Sequence, residues 1–208
     1  MTRKIQLAVK HILDRLLAAG LLCLLSPALL MVAVAILIES GRPILFVQLR
    51  VGQSGRSFQI FKFRTMIQGA VQKGLATTVT RDDDRITRVG AFLRSWSLDE
   101  FPQLVNVLRG EMSVVGPRPT LDYQVARYTA YQRRRLEMKP GITGWAQVNG
   151  RNALPWVRRI ELDIWYIDHF SLWLDARILF RTIGVFFCRD GLYGDGGGND
   201  DFLPRGPV

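Results

Sequence analysis

A charge-free apolar run near the N-terminus constrains this chain more than any other feature. No side chain in residues 16–38 carries a charge, a stretch of about 23 residues. A helix needs about 20 apolar residues to cross the hydrocarbon core of a bilayer. The run is therefore predicted to be a membrane helix, and the rest of the chain has to fold beside a membrane.

The dipeptide Ser26-Pro27 lies near the middle of this run. Proline removes one backbone donor and its ring clashes with the carbonyl of Cys23, so we expect a bend there. The Ser26 hydroxyl can hydrogen-bond to a backbone group that the proline frees, which hydrocarbon cannot do. The prediction is a helix kinked at Ser26 and Pro27.

Basic residues flank the run on both sides: Arg3, Lys4, Lys10 and Arg15 precede it, and Arg42 and Arg50 follow it. Because lysine and arginine are enriched in cytoplasmic flanks, this distribution favours a re-entrant helix that enters and leaves by one face. A kinked single span stays open. A secretory signal peptide is the third alternative, although the run continues past the small-residue segment 33–35.

The next segments predict a β-hairpin, a loop and a short helix. Residues 44–48 and 58–63 flank a glycine-containing turn, as in a hairpin. Lys62 and Arg64 alternate with phenylalanines and so share one face, which is either a cationic site or a solvated surface. Residues 66–85 predict a surface loop, whose aspartates 82–84 suggest either a metal site or a solvated turn. Residues 86–96 have helical periodicity.

Two adjacent carboxylates, Asp99 and Glu100, lie among arginines. Ser97 three residues before Glu100 matches a capping box, so an ordinary helix start explains the pair as well as a catalytic site does. Pro102 is too deep for the usual first-turn position if Ser97 is the cap. Spacing alone leaves both interpretations open.

Candidate phosphate ligands surround this pair in the sequence. Arg118 lies between two prolines, which restrict the backbone around it. Its planar guanidinium can bind two phosphate oxygens, whereas the alternative is a turn with a solvent-facing arginine. Arg94 precedes the acidic pair and Arg151 lies in a later turn.

The C-terminal half predicts surface helices. Residues 127–139 form a basic helix candidate with a solvated or lipid-facing surface. From Pro155 onward a long helical pattern mixes tryptophan, tyrosine and arginine with aliphatic residues, as interfacial helices do. A core helix with an aromatic face is the alternative. The glycine- and aspartate-rich tail predicts a flexible segment.

A formal net charge of +10 implies an anionic partner, such as nucleic acid, acidic lipid or a phosphorylated substrate. Two cysteines, Cys23 and Cys188, have neither zinc spacing nor a disulfide framework. A membrane-tethered module that binds lipid or nucleic acid is one hypothesis, but it gives the acidic pair and Arg118 no role.

The motifs together resemble the bacterial monotopic phosphoglycosyl transferases, in their small, minimal form. The resemblance extends from Lys10 to about Gly191 and rests, besides Ser26-Pro27, on these segments in order: Lys62-Phe63-Arg64-Thr65-Met66, residues 85–90, Ser97-Leu98-Asp99-Glu100-Phe101-Pro102, residues 115–119 and residues 140–151. Phe101 stands where that family more often has leucine.

The resemblance implies transfer of a sugar-1-phosphate from a UDP-sugar to polyprenyl phosphate, such as undecaprenyl phosphate, with release of UMP. It implies that Asp99 attacks the phosphate next to the sugar to form a covalent intermediate, that Glu100 completes the catalytic pair, and that Mg²⁺ is the cofactor, with Asp99 as its candidate ligand. Segment 152–156 is similar to small members that act on N-acetylated amino sugars in glycoconjugate assembly. Nucleic acid is not an expected partner.

The predicted fold class is α+β: a re-entrant N-terminal helix (1–40), a cytosolic catalytic domain of helices and a short β-hairpin with interfacial helices (41–191), and a flexible tail (192–208). The expected location is the bacterial inner membrane, with the catalytic domain on the cytoplasmic face. Lys62, Arg64, Arg94, Arg118 and Arg151 are the predicted ligands of the substrate phosphates.

Overall fold

The structure is a computed structural model that describes residues 2–70 and 83–188. Its helices and strands are, in chain order, α1 (Arg3–Ser40), β1 (Leu45–Val51), β2 (Ser57–Phe63), α2 (Arg88–Ser95), α3 (Gln103–Leu108), β3 (Ser113–Val115), α4 (Asp122–Val125), α5 (Ala130–Arg133), β4 (Gly141–Thr143), α6 (Trp145–Val148), α7 (Trp156–Asp168) and α8 (Leu172–Cys188). This mixture of helices and small sheets confirms the predicted α+β class. The predicted tail lies outside the described residues, and the division into domains stays a prediction.

The predicted β-hairpin is confirmed. Strands β1 and β2 pair antiparallel, with Leu45 opposite Phe63 and Val51 opposite Ser57. Phe58 and Ile60 of β2 are buried and join the main hydrophobic core. The hairpin thus presents the C-terminal end of β2, where Lys62 lies, next to the acidic pair.

A second, parallel sheet holds the loop that carries Arg118. Strand β3 pairs with β4, and the pairing extends into the loop, because the Gly116 N–H donates to the Thr143 carbonyl at 2.9 Å and the Gly141 N–H donates to the Pro117 carbonyl at 2.8 Å. The backbone before Arg118 is therefore fixed by hydrogen bonds as well as by the prolines.

Helix α1 is not interrupted at Pro27. The Ser26 hydroxyl donates a 2.8 Å hydrogen bond to the carbonyl of Cys23, the acceptor that the prolyl nitrogen cannot satisfy. This is the local compensation that the sequence predicted. Among the described residues, α1 is the one helix long and apolar enough to cross a membrane. The kink and the re-entrant path stay predictions.

One side of α1 packs against the rest of the protein, and the other side is exposed. Ala18 and Ile36 are almost fully buried, the first in the main core and the second in a separate cluster with Phe63 and Leu93. Leu24 and Ile38 are 75% and 81% exposed. Both ends of the helix therefore contact the same body of protein.

Buried charges fix the N-terminal part of α1. The Lys10 ammonium donates to Asp175 of α8 at 2.6 Å, while the carboxylate of Asp14 accepts from the Ser113 hydroxyl at 2.6 Å and from the Val114 N–H at 3.2 Å. Burial of charge is costly unless each group is paired and hydrogen-bonded, as these are. The network joins α1 to α8 and to the strand that leads to Arg118.

We expect the Asp14→Ala substitution to lower the free energy of unfolding by about 3 kcal/mol, because it leaves the buried Val114 N–H without an acceptor and removes a carboxylate near buried Lys10. Thermal unfolding of the detergent-solubilised chain measures the effect. The control is Glu161→Ala, which removes an exposed partner of Arg158 and should change stability by less than about 1 kcal/mol. Equal melting temperatures for the two variants would contradict this role of Asp14.

Two expectations for the C-terminal half need correction. Residues 127–139 form α5 and a 3₁₀ turn (Arg134–Glu137), and Arg135 is buried, donating to Asp163 at 2.7 Å, because a paired carboxylate lets the core accept a guanidinium. The long pattern after Pro155 is two helices, α7 and α8, broken between them. Trp173 and Phe180 of α8 are nearly 80% exposed, which suits the predicted interfacial role.

Candidate active site

Glu100 joins the hairpin to the loop between Pro117 and Pro119. Its Oε1 atom accepts hydrogen bonds from Lys62 Nζ and from an Arg118 NH2 nitrogen, both at 2.7 Å. The other Arg118 terminal nitrogen lies 3.4 Å from Oε2. Three segments that are far apart in sequence, β2, the 3₁₀ turn at Leu98–Glu100 and the loop after β3, thus meet at one carboxylate.

The electrostatic environment keeps Glu100 ionised. Burial by itself would raise the pKa of this carboxyl group, but Arg118 and Lys62 outweigh burial and lower the pKa well below its ordinary value. The Glu100 side chain is 15% exposed, whereas that of Arg118 is 40% exposed. Glu100 is therefore a fixed anion at neutral pH, and Arg118 keeps an accessible side toward solvent.

Asp99 has the opposite environment. It is half-buried, and burial together with the neighbouring charge of Glu100 raises its pKa, while Lys62, Arg94 and Arg118 act in the other direction. Within the described residues its carboxylate has no hydrogen bond and no ion pair. The site thus holds one carboxylate whose charge is matched and one that is unpaired but close to three cations.

The capping-box interpretation of Ser97 is wrong. Ser97 has a left-handed backbone (φ 51°, ψ 24°), and its side chain does not cap the turn that follows. The Glu100 side chain does not reach back to Ser97, because Lys62 and Arg118 hold it. Helix α3 begins only at Gln103, with Pro102 at its N-cap. This explains why the proline was too deep for a helix starting after Ser97.

Arg94 and Arg151, also predicted as phosphate ligands, lie at the edge of the site. Arg94, in the last turn of α2, donates through Nε to the Thr65 hydroxyl at 2.7 Å and is near enough to Asp99 to lower its pKa. Burial lowers the pKa of Arg151, on which the charges of Glu100 and Arg118 also act. Neither guanidinium has an ion pair within the described residues.

Arg64 has a different place from the one predicted. Its guanidinium is buried, and one terminal nitrogen lies 2.7 Å from the carbonyl oxygens of Ser40 and Gly41. The Arg64 N–H still donates to the Ile44 carbonyl at 2.9 Å, so the backbone pairing of the hairpin reaches Arg64, but its side chain is held by the end of α1. The structure therefore gives Arg64 a contact with the end of α1 instead of a place beside Glu100.

Arg50 belongs to the site, although its position in the sequence indicates only a charge that flanks the apolar run. It lies on β1, donates to the Gln48 side chain at 2.6 Å, and its pKa is lowered to about 10 by burial and by Arg118, with Glu100 acting in the other direction. Arg50 occupies a half-buried position of β1. Sequence periodicity alone assigns an arginine at such a position to the surface.

The residues fit a magnesium ion shared with a substrate. The described residues contain no group of three His, Cys, Asp or Glu side chains that would form a closed metal site. Mg²⁺ needs only one or two carboxylates when phosphate oxygens and water supply the other ligands, and Asp99 is such a carboxylate. The other predicted metal site is the run of aspartates at residues 82–84. Both carboxylate oxygens of Asp83 accept hydrogen bonds from the Arg85 guanidinium and are therefore occupied. Asp82 lies outside the described residues.

Comparison with known proteins identifies the family of this chain. Residues 5–189 match the family described as bacterial sugar transferase. The chain is 43% identical over 184 residues to an uncharacterized sugar transferase of Bacillus subtilis, covering 88% of this chain and 90% of that protein. It is 46% identical over 193 residues to a UDP-glucose:undecaprenyl-phosphate glucose-1-phosphate transferase of Caulobacter vibrioides, covering 88% and 72%.

An enzyme of the same name from Escherichia coli is 40% identical over 196 residues, which is 89% of this chain but 41% of that longer protein. The family match spans residues 5–189, and two relatives covered over 90% and 72% of their own length are 43% and 46% identical to this chain. The chain belongs to the bacterial sugar transferase family and is a phosphoglycosyl transferase.

Proposed function

We propose that this enzyme transfers a sugar-1-phosphate from a UDP-sugar to undecaprenyl phosphate and releases UMP. One observation carries the proposal: among the described residues the Asp99 carboxylate is unpaired and lies near Lys62, Arg94 and Arg118, while its neighbour Glu100 binds two of these cations. The named relatives act on UDP-sugars and undecaprenyl phosphate, which supports the same substrates here.

In the first step, a carboxylate oxygen of Asp99 attacks the phosphorus next to the sugar. The bond from that phosphorus to the bridging oxygen breaks, and UMP leaves with the electron pair. An ionised carboxylate is a competent nucleophile, and the unpaired state of Asp99 leaves its lone pairs free to react. Arg118 and Arg94 lie where they can neutralise the charge that builds on the departing phosphate.

In the second step, an oxygen of the lipid phosphate attacks the same phosphorus. The acyl phosphate bond breaks, the carboxylate of Asp99 is restored, and the product is a lipid diphosphosugar. Both substrates are anions, so both steps need the same cations. A covalent intermediate lets the water-soluble donor leave before the membrane-bound acceptor arrives.

Glu100 acts by orientation. Lys62 and Arg118 occupy its carboxylate, and its strongly lowered pKa makes it a poor proton acceptor near neutral pH. By holding two cations beside Asp99, it keeps them available for substrate phosphates and prevents them from pairing with the nucleophile.

Mg²⁺ is the proposed cofactor, with Asp99 as its protein ligand and the donor diphosphate supplying further oxygens. When bound, it would offset the negative charge of the diphosphate. Lys62, Arg94 and Arg118 perform the same task from the protein side.

We further propose that α1 enters and leaves the membrane by the cytoplasmic face. A straight helix of 38 residues is about 57 Å long, and residues near both of its ends pack on the same body of protein. If residues 16–38 crossed the bilayer alone, the contacts of Asp14 and Ser40 would lie on opposite sides. The flanking basic residues support the cytoplasmic side, and with it the bacterial inner membrane as location.

Topology labelling checks this arrangement. A tag at Met1 and a cysteine introduced at exposed Pro43 should both react only with reagents that reach the cytoplasm. The chain has two native cysteines, so the labelled variants carry Cys23→Ala and Cys188→Ala, and Arg158→Cys at an exposed position serves as the reference for the catalytic domain. Labelling of Met1 from the outside would contradict the same-face topology and leave the chemistry untouched.

UMP release from a panel of UDP-sugars, with undecaprenyl phosphate present, tests the function itself. The relatives are named for glucose and, at 44% identity, for N-acetylgalactosamine in an Aeromonas hydrophila enzyme. The panel therefore compares these two sugars with their C2 and C4 variants, and N-acetylated amino sugars remain donor candidates. Failure of every UDP-sugar to yield UMP would contradict the proposal.

A further inference from the structure

The last turn of α1 caps the helix that carries Arg94. The Glu39 carboxylate accepts hydrogen bonds from the backbone N–H groups of Arg88 at 2.8 Å and of Val89 at 3.0 Å. These are the first two residues of α2. A residue almost fifty positions away thus satisfies donors that have no partner within their own helix.

The local cap of α2 is incomplete without Glu39. Thr87 accepts from the Gly90 N–H at 2.9 Å through its hydroxyl, and its carbonyl accepts from Ala91. No acidic residue lies in the first turn of α2 itself. Glu39 therefore supplies both the missing acceptors and the negative charge that a helix N-terminus favours.

Helix α2 is held tightly enough to transmit its position to Arg94. A Cβ atom built on Gly90 would lie only 2.0 Å from the Thr65 carbonyl oxygen, so the helix and the segment after β2 are in direct backbone contact. The Arg94 Nε then donates to the hydroxyl of the same threonine. Arg94 is thus fixed from both its own helix and Thr65.

The contact of Arg64 completes this arrangement. It donates to the carbonyl oxygens of Ser40 and Gly41, directly after Glu39, and it precedes Thr65 in the chain. The end of α1 therefore contacts both α2, through Glu39, and the segment after β2, through the hydrogen bonds of Arg64.

We propose that Glu39 is a positioning residue, which sets Arg94 beside Asp99 by capping α2. This inference rests on the proposed function in one respect, namely the role of Arg94 in neutralising the departing phosphate. Among the described residues, the Glu39 side chain makes its hydrogen bonds to the N–H groups of Arg88 and Val89 and none to Asp99 or Glu100, so it acts through the helix. It links the membrane-facing helix to the reacting carboxylate.

A double-mutant cycle tests this in the full-length, detergent-solubilised enzyme with a UDP-sugar that the wild type uses. We expect Arg94→Ala to slow formation of the phosphosugar adduct by about 100-fold and Glu39→Ala to slow it by about 10-fold. If Glu39 acts through Arg94, the double variant will be within about twofold of Arg94→Ala alone. If the rate of the double variant were instead lower by the product of the two single-variant factors, the two residues would act independently and the proposal would be overturned.

Two further variants separate positioning from general stability. Glu39→Gln keeps one acceptor oxygen and should recover part of the rate, and it also serves if Glu39→Ala does not fold. Glu161→Ala, an exposed carboxylate on α7, is the matched control and should keep the wild-type rate. A Glu39→Gln enzyme as slow as Arg94→Ala, or a control as slow as Glu39→Ala, would also overturn the positioning role.

Hydrogen exchange distinguishes failure of this inference from failure of the proposed function. The amides of Arg88 and Val89 should exchange at least about tenfold faster in Glu39→Ala than in the wild type, with the amide of Ala91 as internal reference. Unchanged exchange would contradict the cap without any assay of turnover. Absence of UMP release from the wild type would instead contradict the reaction.

Discussion

Asp99→Asn is expected to abolish transfer. The substitution keeps the shape of the side chain but removes the nucleophilic oxygen, so adduct formation should fall by roughly 10⁴-fold or more. Incubation with the UDP-sugar, followed by intact-protein mass spectrometry, should show a phosphosugar adduct on the wild type and none on the variant. UMP release measures the same step independently.

This loss should occur without a loss of stability. Burial and the charge of Glu100 raise the pKa of Asp99, which means that the folded protein disfavours its ionised form relative to the unfolded chain. At a pH above that pKa, the ionised Asp99 side chain destabilises the folded protein, and the neutral asparagine does not. The melting temperature of Asp99→Asn should therefore equal or exceed that of the wild type. Asp122→Asn, at an exposed helix start, is the control. Normal turnover in Asp99→Asn would show that another group is the nucleophile.

Local patterns predicted the elements of the fold that depend on neighbouring residues. The apolar run became α1, the alternation around a glycine-containing turn became the hairpin, and residues 86–96 became α2. The hydrogen bond from Ser26 to Cys23 also follows from the sequence, because serine and its acceptor lie within one helical turn. These features need no knowledge of which segments meet in space.

The contacts that shape the site were not predictable in this way. Ser97 and Glu100 have capping-box spacing, but Lys62 and Arg118, distant in sequence, bind the glutamate and override the local preference. Strand alternation placed Arg64 beside Lys62, but the carbonyl oxygens of Ser40 and Gly41, more than twenty residues away, bind its guanidinium. Arg50 was missed because its role depends on burial beside Arg118.

Glu39 shows the same limit more clearly. In sequence it is an acidic residue at the end of an apolar helix, where a negative charge opposes the helix dipole and gives no local benefit. Its partners, the N–H groups that start α2, come almost fifty residues later. Such long-range caps are visible only when the two helix ends are placed side by side.

Glu100→Gln is expected to slow both half-reactions by a similar factor, of about 100-fold. The neutral amide cannot hold Lys62 and Arg118 with the charge that the carboxylate provides, so these cations will pair with Asp99, the nearest remaining anion. Hydrogen bonds from both cations would occupy the lone pairs of Asp99 that attack phosphorus, and the same cations are then less available for substrate phosphates. Rapid-quench measurement of adduct formation, and of adduct decay after addition of undecaprenyl phosphate, gives the two factors separately.

The ratio of these factors decides between orientation and proton transfer. If Glu100 were a base toward the acceptor phosphate, adduct formation would stay near the wild-type rate while decay slowed, so the adduct would accumulate on the variant. Orientation predicts no accumulation, because formation is slowed as much as decay. Glu161→Gln, which changes a carboxylate exposed to solvent, should leave both rates unchanged. Both oxygens of Glu100 lie within hydrogen-bonding distance of a cation, and this geometry favours orientation.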